Sequence, residues 1–317
     1  MLQTRHRVAI LALLFAAFAP TLACGQAATG TSDQSPGQEP TAPAVPTPIG
    51  GGGRIAFASG RDGDYEIYSV GADGSDANRL TDSEPKGKYF PKWSPDGEVL
   101  LYWTYTAEPF VSDEYWLRAD GTTGLFANGV QPYVSFSPDG QTVVMCGPRD
   151  DGNIEVLTAP LSGGDVTRLT NSPGKDFMPA WSPDGKTIAF ASERDGPLHI
   201  YLMDADGGNP RRLTDNDLVE AAPAWSPDGS QIAFFAGEDG SVTNIYVVGA
   251  DGTGTTNITN QASGFNEDPS WSPDGRMIAF WSDRSGDHEI YAMRLDGSGL
   301  VNLSDSPGPD ENPSWGP

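Results

Sequence analysis

Trp181-Ser182-Pro183-Asp184-Gly185 decides the fold, because the pattern returns along the chain. Ser-Pro-Asp-Gly stands at Ser94–Gly97, Ser137–Gly140, Ser182–Gly185, Ser226–Gly229 and Ser272–Gly275. An aromatic precedes each copy: Trp93, Phe136, Trp181, Trp225 and Trp271. Trp315 stands one step further on. The steps between these aromatics are 43, 45, 44, 46 and 44 residues. A fixed period of this size is one supersecondary unit repeated in space.

The copy over Lys175–Thr214 reads as four strands. Pro179-Ala180-Trp181 is a short apolar run ahead of a turn. Pro183 presets φ and Gly185 tolerates positive φ, so Ser-Pro-Asp-Gly makes a tight hairpin. Thr187–Ala191 is the second strand, Arg194-Asp195-Gly196 a second hairpin, and His199–Met203 the third strand. Asp206-Gly207 turns the chain into a fourth strand over Arg211–Thr214. Ile67-Tyr68, Ile200-Tyr201, Ile245-Tyr246 and Ile290-Tyr291 mark the third strand elsewhere. Leu80-Thr81, Leu169-Thr170, Leu213-Thr214, Ile258-Thr259 and Leu303-Ser304 mark the fourth. Four short strands joined by Asp-Gly turns are one blade of a β-propeller. No segment after the N-terminus has the apolar spacing of a helix. Residues 54–317 hold six such units, so the expected fold is an all-β, six-bladed propeller with four-stranded blades. Ile55-Ala56-Phe57 reads as a second strand with no first strand before it. Pro313-Ser314-Trp315 reads as a first strand with nothing after it. The C-terminal strand should therefore complete the N-terminal blade and close the ring.

These residues resemble the TolB-type, WD-like propeller repeat, with its Pro-x-Trp-Ser-Pro-Asp-Gly, Ile-Ala-Phe, Arg-Asp-Gly, Ile-Tyr and Leu-Thr signature. The resemblance spans the chain after residue 53. It implies an exported propeller of that family, here without the α/β domain that precedes the propeller in TolB itself. Blade two departs from the pattern. Thr104–Asp113 reads as a long connection between second and third strands, and Gly124-Leu125-Phe126 replaces Leu-Thr. In blade three Phe136 replaces Trp and Val134 replaces the usual Pro.

Residues 1–23 read as a signal peptide: Arg5-His6-Arg7 is charged, and Val8–Phe18 is apolar but short for a membrane span. Thr21-Leu22-Ala23-Cys24-Gly25 resembles a bacterial lipobox, which implies lipidation at Cys24. An ordinary secretory signal with an incidental cysteine is the alternative. Residues 24–53 are rich in Gly, Pro, Ser, Thr and Ala and read as a disordered tether. The other cysteine, Cys146, falls on a second strand and should be a small buried core residue. The expected location is extracytoplasmic, periplasmic or at the cell surface, with the lipid as the sole membrane contact.

The full chain carries 19 basic and 43 acidic residues, a net charge of −24. Loss of Arg5 and Arg7 makes it −26. Such a surface repels nucleic acid and anionic headgroups. It suits cations, basic protein segments or neutral sugars, although much of the acid is turn Asp that serves solubility.

Strand order puts Ser-Pro-Asp-Gly and the third-to-fourth strand turns on one face, here the far face. The Arg-Asp-Gly hairpins and the blade-to-blade connections share the near face, where loops from a rigid scaffold converge on the axis. Five residues before each marker aromatic stand Lys88, Gln131, Asp176, Glu220, Asn266 and Asp310. All are polar, and they are expected to ring the channel mouth and bind the ligand, unless they are polar only because they are wet. Asp176, Glu220, Glu267, Asp268, Asp310 and Glu311 are candidates for holding calcium, a hard cation that wants several oxygens. Asp204–Asn209 looks slightly like a calcium loop but falls on a repeated turn. Arg61, Arg149, Arg194 and Arg284 recur in the near-face hairpins, where recurrence points to structural salt bridges or backbone contacts.

No Gly-x-Ser-x-Gly elbow and no His-Glu-x-x-His segment is present. His199 and His288 stand at the starts of third strands, away from the channel. The favoured function is a non-enzymatic binding module for a cell-envelope protein or peptide, for which a basic character would suit the charge, and a monomer is expected. The alternative is a carbohydrate-binding or lyase-like propeller using a divalent cation. That would need Lys88 as base and exposed aromatics among Tyr89, Phe90, Tyr133, Phe177 and Phe265.

Overall fold

The computed structural model describes residues 53–82, 87–107, 110–149, 151–238 and 241–317. Cys24 and the residues read as a signal peptide and tether, apart from Gly53, lie outside them. The described chain forms 24 strands in six four-stranded antiparallel sheets. Blade 1 contains β1 (Arg54–Ser59), β2 (Glu66–Gly71) and β3 (Asn78–Arg79). Blade 2 contains β4 (Lys88–Trp93), β5 (Val99–Ala107), β6 (Phe110–Arg118) and β7 (Thr123–Asn128). Blade 3 contains β8 (Gln131–Phe136), β9 (Thr142–Pro148), β10 (Ile154–Pro160) and β11 (Thr167–Arg168). Blade 4 contains β12 (Asp176–Trp181), β13 (Thr187–Ser192), β14 (His199–Asp204) and β15 (Arg211–Arg212). Blade 5 contains β16 (Val219–Trp225), β17 (Gln231–Gly237), β18 (Asn244–Gly249) and β19 (Thr256–Asn257). Blade 6 contains β20 (Asn266–Trp271), β21 (Met277–Ser282), β22 (Glu289–Arg294) and β23 (Val301–Asn302). The last strand, β24 (Asp310–Trp315), returns to blade 1 and pairs with β1, Ile55 opposite Trp315 and Ser59 opposite Asp310. The ring is closed as the sequence implies.

The repeated residues hold the far face. In each Ser-Pro-Asp-Gly turn the serine hydroxyl donates to the aspartate two residues on, at 2.6 Å in Ser94–Asp96 and 2.7 Å in Ser182–Asp184. The same hydroxyl accepts the N–H that opens the second strand, as Val99 to Ser94 at 2.9 Å. Donation from the Ser182 hydroxyl and from the Lys186 N–H holds the Asp184 carboxyl below its usual range. Gly185, with φ of 71°, takes the conformation a side chain would disfavour.

The core lies in the seams between blades. Ile67 of β2 packs with Ala56 and Ala58 against Tyr89, Trp93, Leu100 and Tyr102 of blade 2. Such seams, repeated round the ring, replace a single central core. Cys146 is buried in one of them, and burial pushes its thiol up to about 12.

Two expectations need correction, and blade 2 adds an observation. The outer strands of five blades are two residues long, so β15 ends at Arg212 rather than at Thr214. Leu213 still donates to Ile200 at 2.8 Å, but the Thr214 side chain turns inward to Glu220. Thr104–Asp113 is no open connection: β5 and β6 run on as one hairpin, Thr104 opposite Asp113 and Ala107 opposite Phe110. Blade 2 also puts Glu114 where the other third strands carry Ile67, Val156, Ile200, Ile245 and Ile290. Glu114 is 1% exposed, and among the described residues neither carboxylate oxygen has a partner.

Candidate binding site

The six predicted mouth residues begin the inner strands, but five of them are fully buried: Lys88, Asp176, Glu220, Asn266 and Asp310. Gln131 is half-buried. The buried five form a polar belt inside the ring. In three blades the recurring arginine explains the belt. Arg61, Arg194 and Arg284 donate through Nε to Ser59, Ser192 and Ser282 at 2.7, 2.9 and 3.0 Å. Their outer nitrogens reach Asp310 at 3.0 Å, Asp176 at 3.1 Å and the Asn266 amide oxygen at 2.5 Å. Each guanidinium also lies over a third-strand tyrosine, Arg61 over Tyr68 at 4.5 Å and Arg194 over Tyr201 at 4.9 Å. In blade 3 Gly147 stands where the serine would be, and Arg149 turns to Glu155 at 3.1 Å. The remaining two belt residues reach back to the preceding blade. Lys88 meets Glu66 at 3.0 Å, and Glu220 lies 3.5 Å from His199.

The calcium candidates do not converge. Asp176 and Asp310 are spent on arginines, and Glu220 on Thr214, Asn216 and the Ile200 N–H. Asp204 accepts from Asn209 at 2.7 Å. Among the described residues no three acidic, His or Cys side chains gather as a metal site. Of the aromatics, Tyr89 and Phe177 are buried in seams, and Phe265 packs on Trp281 with ring centres 6.4 Å apart. His288 is bound to Glu311 at 2.6 Å and packs on Trp281.

The channel wall is built by a different layer, three residues before each marker aromatic. Phe90, Tyr133, Met178, Ala222, Asp268 and Asn312 all have left-handed backbone, with φ of 51, 77, 51, 50, 52 and 55°. Each sits where its inner strand slips register against the second strand, as between Phe177 and Ala180 or Glu267 and Ser270. This is a β-bulge, which re-aims a side chain, and here all six line one cavity of about 70 Å³ on the axis. No glycine marks the layer, so sequence patterning missed it. The positions align only after the bulge is known.

The wall is lopsided. Phe90 packs on Tyr133 with ring centres 4.5 Å apart. The Tyr133 hydroxyl crosses from blade 3 to blade 6 and donates to Asp268 at 3.1 Å. Asp268 also accepts from Trp281 Nε1 at 3.1 Å and from Asn312 at 2.7 Å. Burial nevertheless raises the Asp268 carboxyl to about 6, the donors opposing it. Burial and the Asp268 charge raise neighbouring Glu267 to about 8. Lys92, one residue before the blade 2 marker, lines the same cavity.

These features define a closed six-bladed propeller whose candidate site lies on its axis. The chain belongs to the TolB beta propeller domain family, whose description matches residues 125–221 and 215–317. The Protein TolB homolog of Chlorobium luteolum is 37% identical over 264 residues, 83% of this chain and 60% of the relative. The chain thus spans about 60% of that relative's length. The crystal structure of TolB from Acinetobacter baumannii superposes with a TM-score of 0.74 at 26% identity, covering 84% of this chain and 67% of that one. An oligogalacturonate lyase in complex with manganese shares the fold alone, with a TM-score of 0.55 at 17% identity over 81% of this chain and 75% of the lyase.

Proposed function

We propose that this chain is an extracytoplasmic propeller, tethered through a lipid on Cys24, that binds a protein or peptide partner at its near face and channel mouth. The observation that carries this reading is the lopsided channel wall. Scaffold positions are alike from blade to blade, whereas the left-handed layer holds Phe90, Tyr133 and Met178 on one side and Asp268 and Asn312 on the other. A mixture of apolar surface with a few placed polar groups is what a ligand site needs. Membership of the TolB propeller family supports a role in binding. In this reading Gln131 meets the partner directly. Lys88, Asp176, Glu220, Asn266 and Asp310 keep the near-face loops rigid around it. The net charge of the chain favours a basic partner segment outside the channel.

The test is affinity capture from envelope extract, with and without chelator, using wild type and a Phe90→Ala, Met178→Ala double variant. The reading expects one partner, kept under chelator and lost with the variant at unchanged melting temperature. Equal capture by both proteins removes the site from the channel. For the anchor, Cys24→Ser should move the protein from the membrane to the soluble fraction. A soluble wild type with its mature N-terminus elsewhere overturns that part.

A further inference from the structure

Lys92 breaks the repeat at a position where the other blades carry Ser135, Ala180, Ala224, Ser270 and Ser314. The serines there have a scaffold task. Ser135, Ser270 and Ser314 accept the backbone N–H of Trp181, Trp315 and Trp93 in the next blade, at 3.1, 2.9 and 3.3 Å. An ammonium group has no lone pair and cannot accept such a bond, so Lys92 has given up that task. It faces the axial cavity. Among the described residues no carboxylate pairs with it, and burial alone pulls its pKa below the ordinary lysine value. The one carboxylate lining the same cavity, Asp268, is occupied by Tyr133, Trp281 and Asn312. Lys92 is only partly exposed; a partly desolvated cation without a partner is costly, and among the described residues no carboxylate offsets that cost at this blade.

Resting on the peptide-binding reading, we propose that Lys92 is an anion-receiving site inside the channel, and that its ligand is a single carboxylate on an aliphatic stem, offered by the partner peptide. A single ammonium matches one negative charge, whereas a phosphoryl group brings about −1.5 to −2 and wants several donors. The collar around Lys92 is apolar, with Pro91, Pro179, Pro223 and Met178, which suits a methylene stem. The carboxylate is either the C-terminus of the peptide or an Asp or Glu side chain.

Two matched probe pairs separate these sources in chemical-shift titrations of the whole protein. Acetyl-alanyl-glycine is compared with its amide, and acetyl-glutamyl amide with acetyl-glutaminyl amide. The site expects at least one acid to bind and its neutral twin not to bind. Lys92→Met should weaken that acid at least tenfold. Binding of the first acid alone names a C-terminus, and of the second alone a side chain. Without probe, Lys92→Met should melt at or above the wild-type temperature, because it replaces a partly desolvated, unpaired charge by an apolar side chain. A lower melting temperature, acids that bind the variant equally or do not bind wild type, or tighter binding of inorganic phosphate would each overturn the assignment. If Lys92→Met captures the envelope partner as well as wild type does, the carboxylate site fails and the peptide reading stands. Acid binding at Lys92 with no captured partner supports the site and overturns the peptide reading.

Discussion

Lys88 donates its ammonium proton to Glu66 at 3.0 Å across the seam between blades 1 and 2, and its side chain is fully buried. Three blades on, the same two positions hold Glu220 and His199, 3.5 Å apart, with acid and base exchanged. A threonine completes both pairs: Thr81 donates to Glu66 at 2.5 Å, and Thr214 donates to Glu220. The seam thus demands complementary polar partners at this depth without fixing which blade brings the acid.

Lys88→Met should therefore cost about 3–5 kcal/mol, because it leaves Glu66 buried with its main cation gone. Adding Glu66→Gln should restore much of the loss. Urea unfolding of the single and double variants measures both. A single variant as stable as wild type would show that Arg79, 3.3 Å from Glu66, suffices as its partner.

Glu114→Ile should stabilise the protein. It restores the residue type of the other blades and removes two buried carboxylate oxygens that have no partner among the described residues, a deficit of about 1–3 kcal/mol. At roughly 2–4 °C per kcal/mol for a chain of this class, the gain is readable by calorimetry. A fall in melting temperature would mean that the Glu114 carboxyl has a role in blade 2.

Stability should decline between about pH 4 and pH 8. Glu267 is raised to about 8, Asp268 to about 6 and Glu114 well above its ordinary value, in each case chiefly by burial. A carboxyl whose folded pKa is raised contributes stability fully below its unfolded value, near 4, and loses it as pH rises through the folded value. His288 acts in the same sense. Burial opposes its charge, but the Glu311 hydrogen bond and charge outweigh burial and raise its pKa. The turn aspartates act oppositely: hydrogen bonds hold Asp228 at about 2, so its contribution is lost as pH falls through that value. Melting temperatures from pH 4 to pH 8 test the sign, and Glu267→Gln should flatten the slope. A melting temperature that rises towards pH 8 contradicts the assignment.

Truncation before Asp310 should open the ring. It leaves β1 with an unpaired edge and removes the carboxylate of Arg61. Exposed edges recruit other chains, so the truncated protein should self-associate with concentration, read by sedimentation. Trp315→Ala alone should cost less than the ~3–5 kcal/mol of a fully buried aromatic, because Trp315 is only half-buried. A truncated protein that stays monomeric and melts with wild type would show that β24 does not close the ring.

The scaffold was legible because its residues recur for local reasons. Each Ser-Pro-Asp-Gly makes the same turn. Thr81 and Thr170 each cap the N–H of a third-strand residue, Ile67 and Val156, at 2.9 Å. The belt was legible as a row of polar residues but not as a buried row. Polar residues near a loop usually mean water, and only the recurrence of Arg61, Arg194 and Arg284 hinted at internal partners. The channel wall was not legible. Phe90, Met178 and Asp268 share neither size nor charge, and their common feature is a backbone angle that none of them advertises.

Arg54, where β1 begins, accepts a hydrogen bond from Gly316 at 2.8 Å and pairs with Gly71, beside the Asp73-Gly74 turn. The chain therefore enters the propeller on the far face, opposite the channel mouth. Whatever is fastened to the residues before Arg54 holds the disc from beneath and points its opening away from the point of attachment.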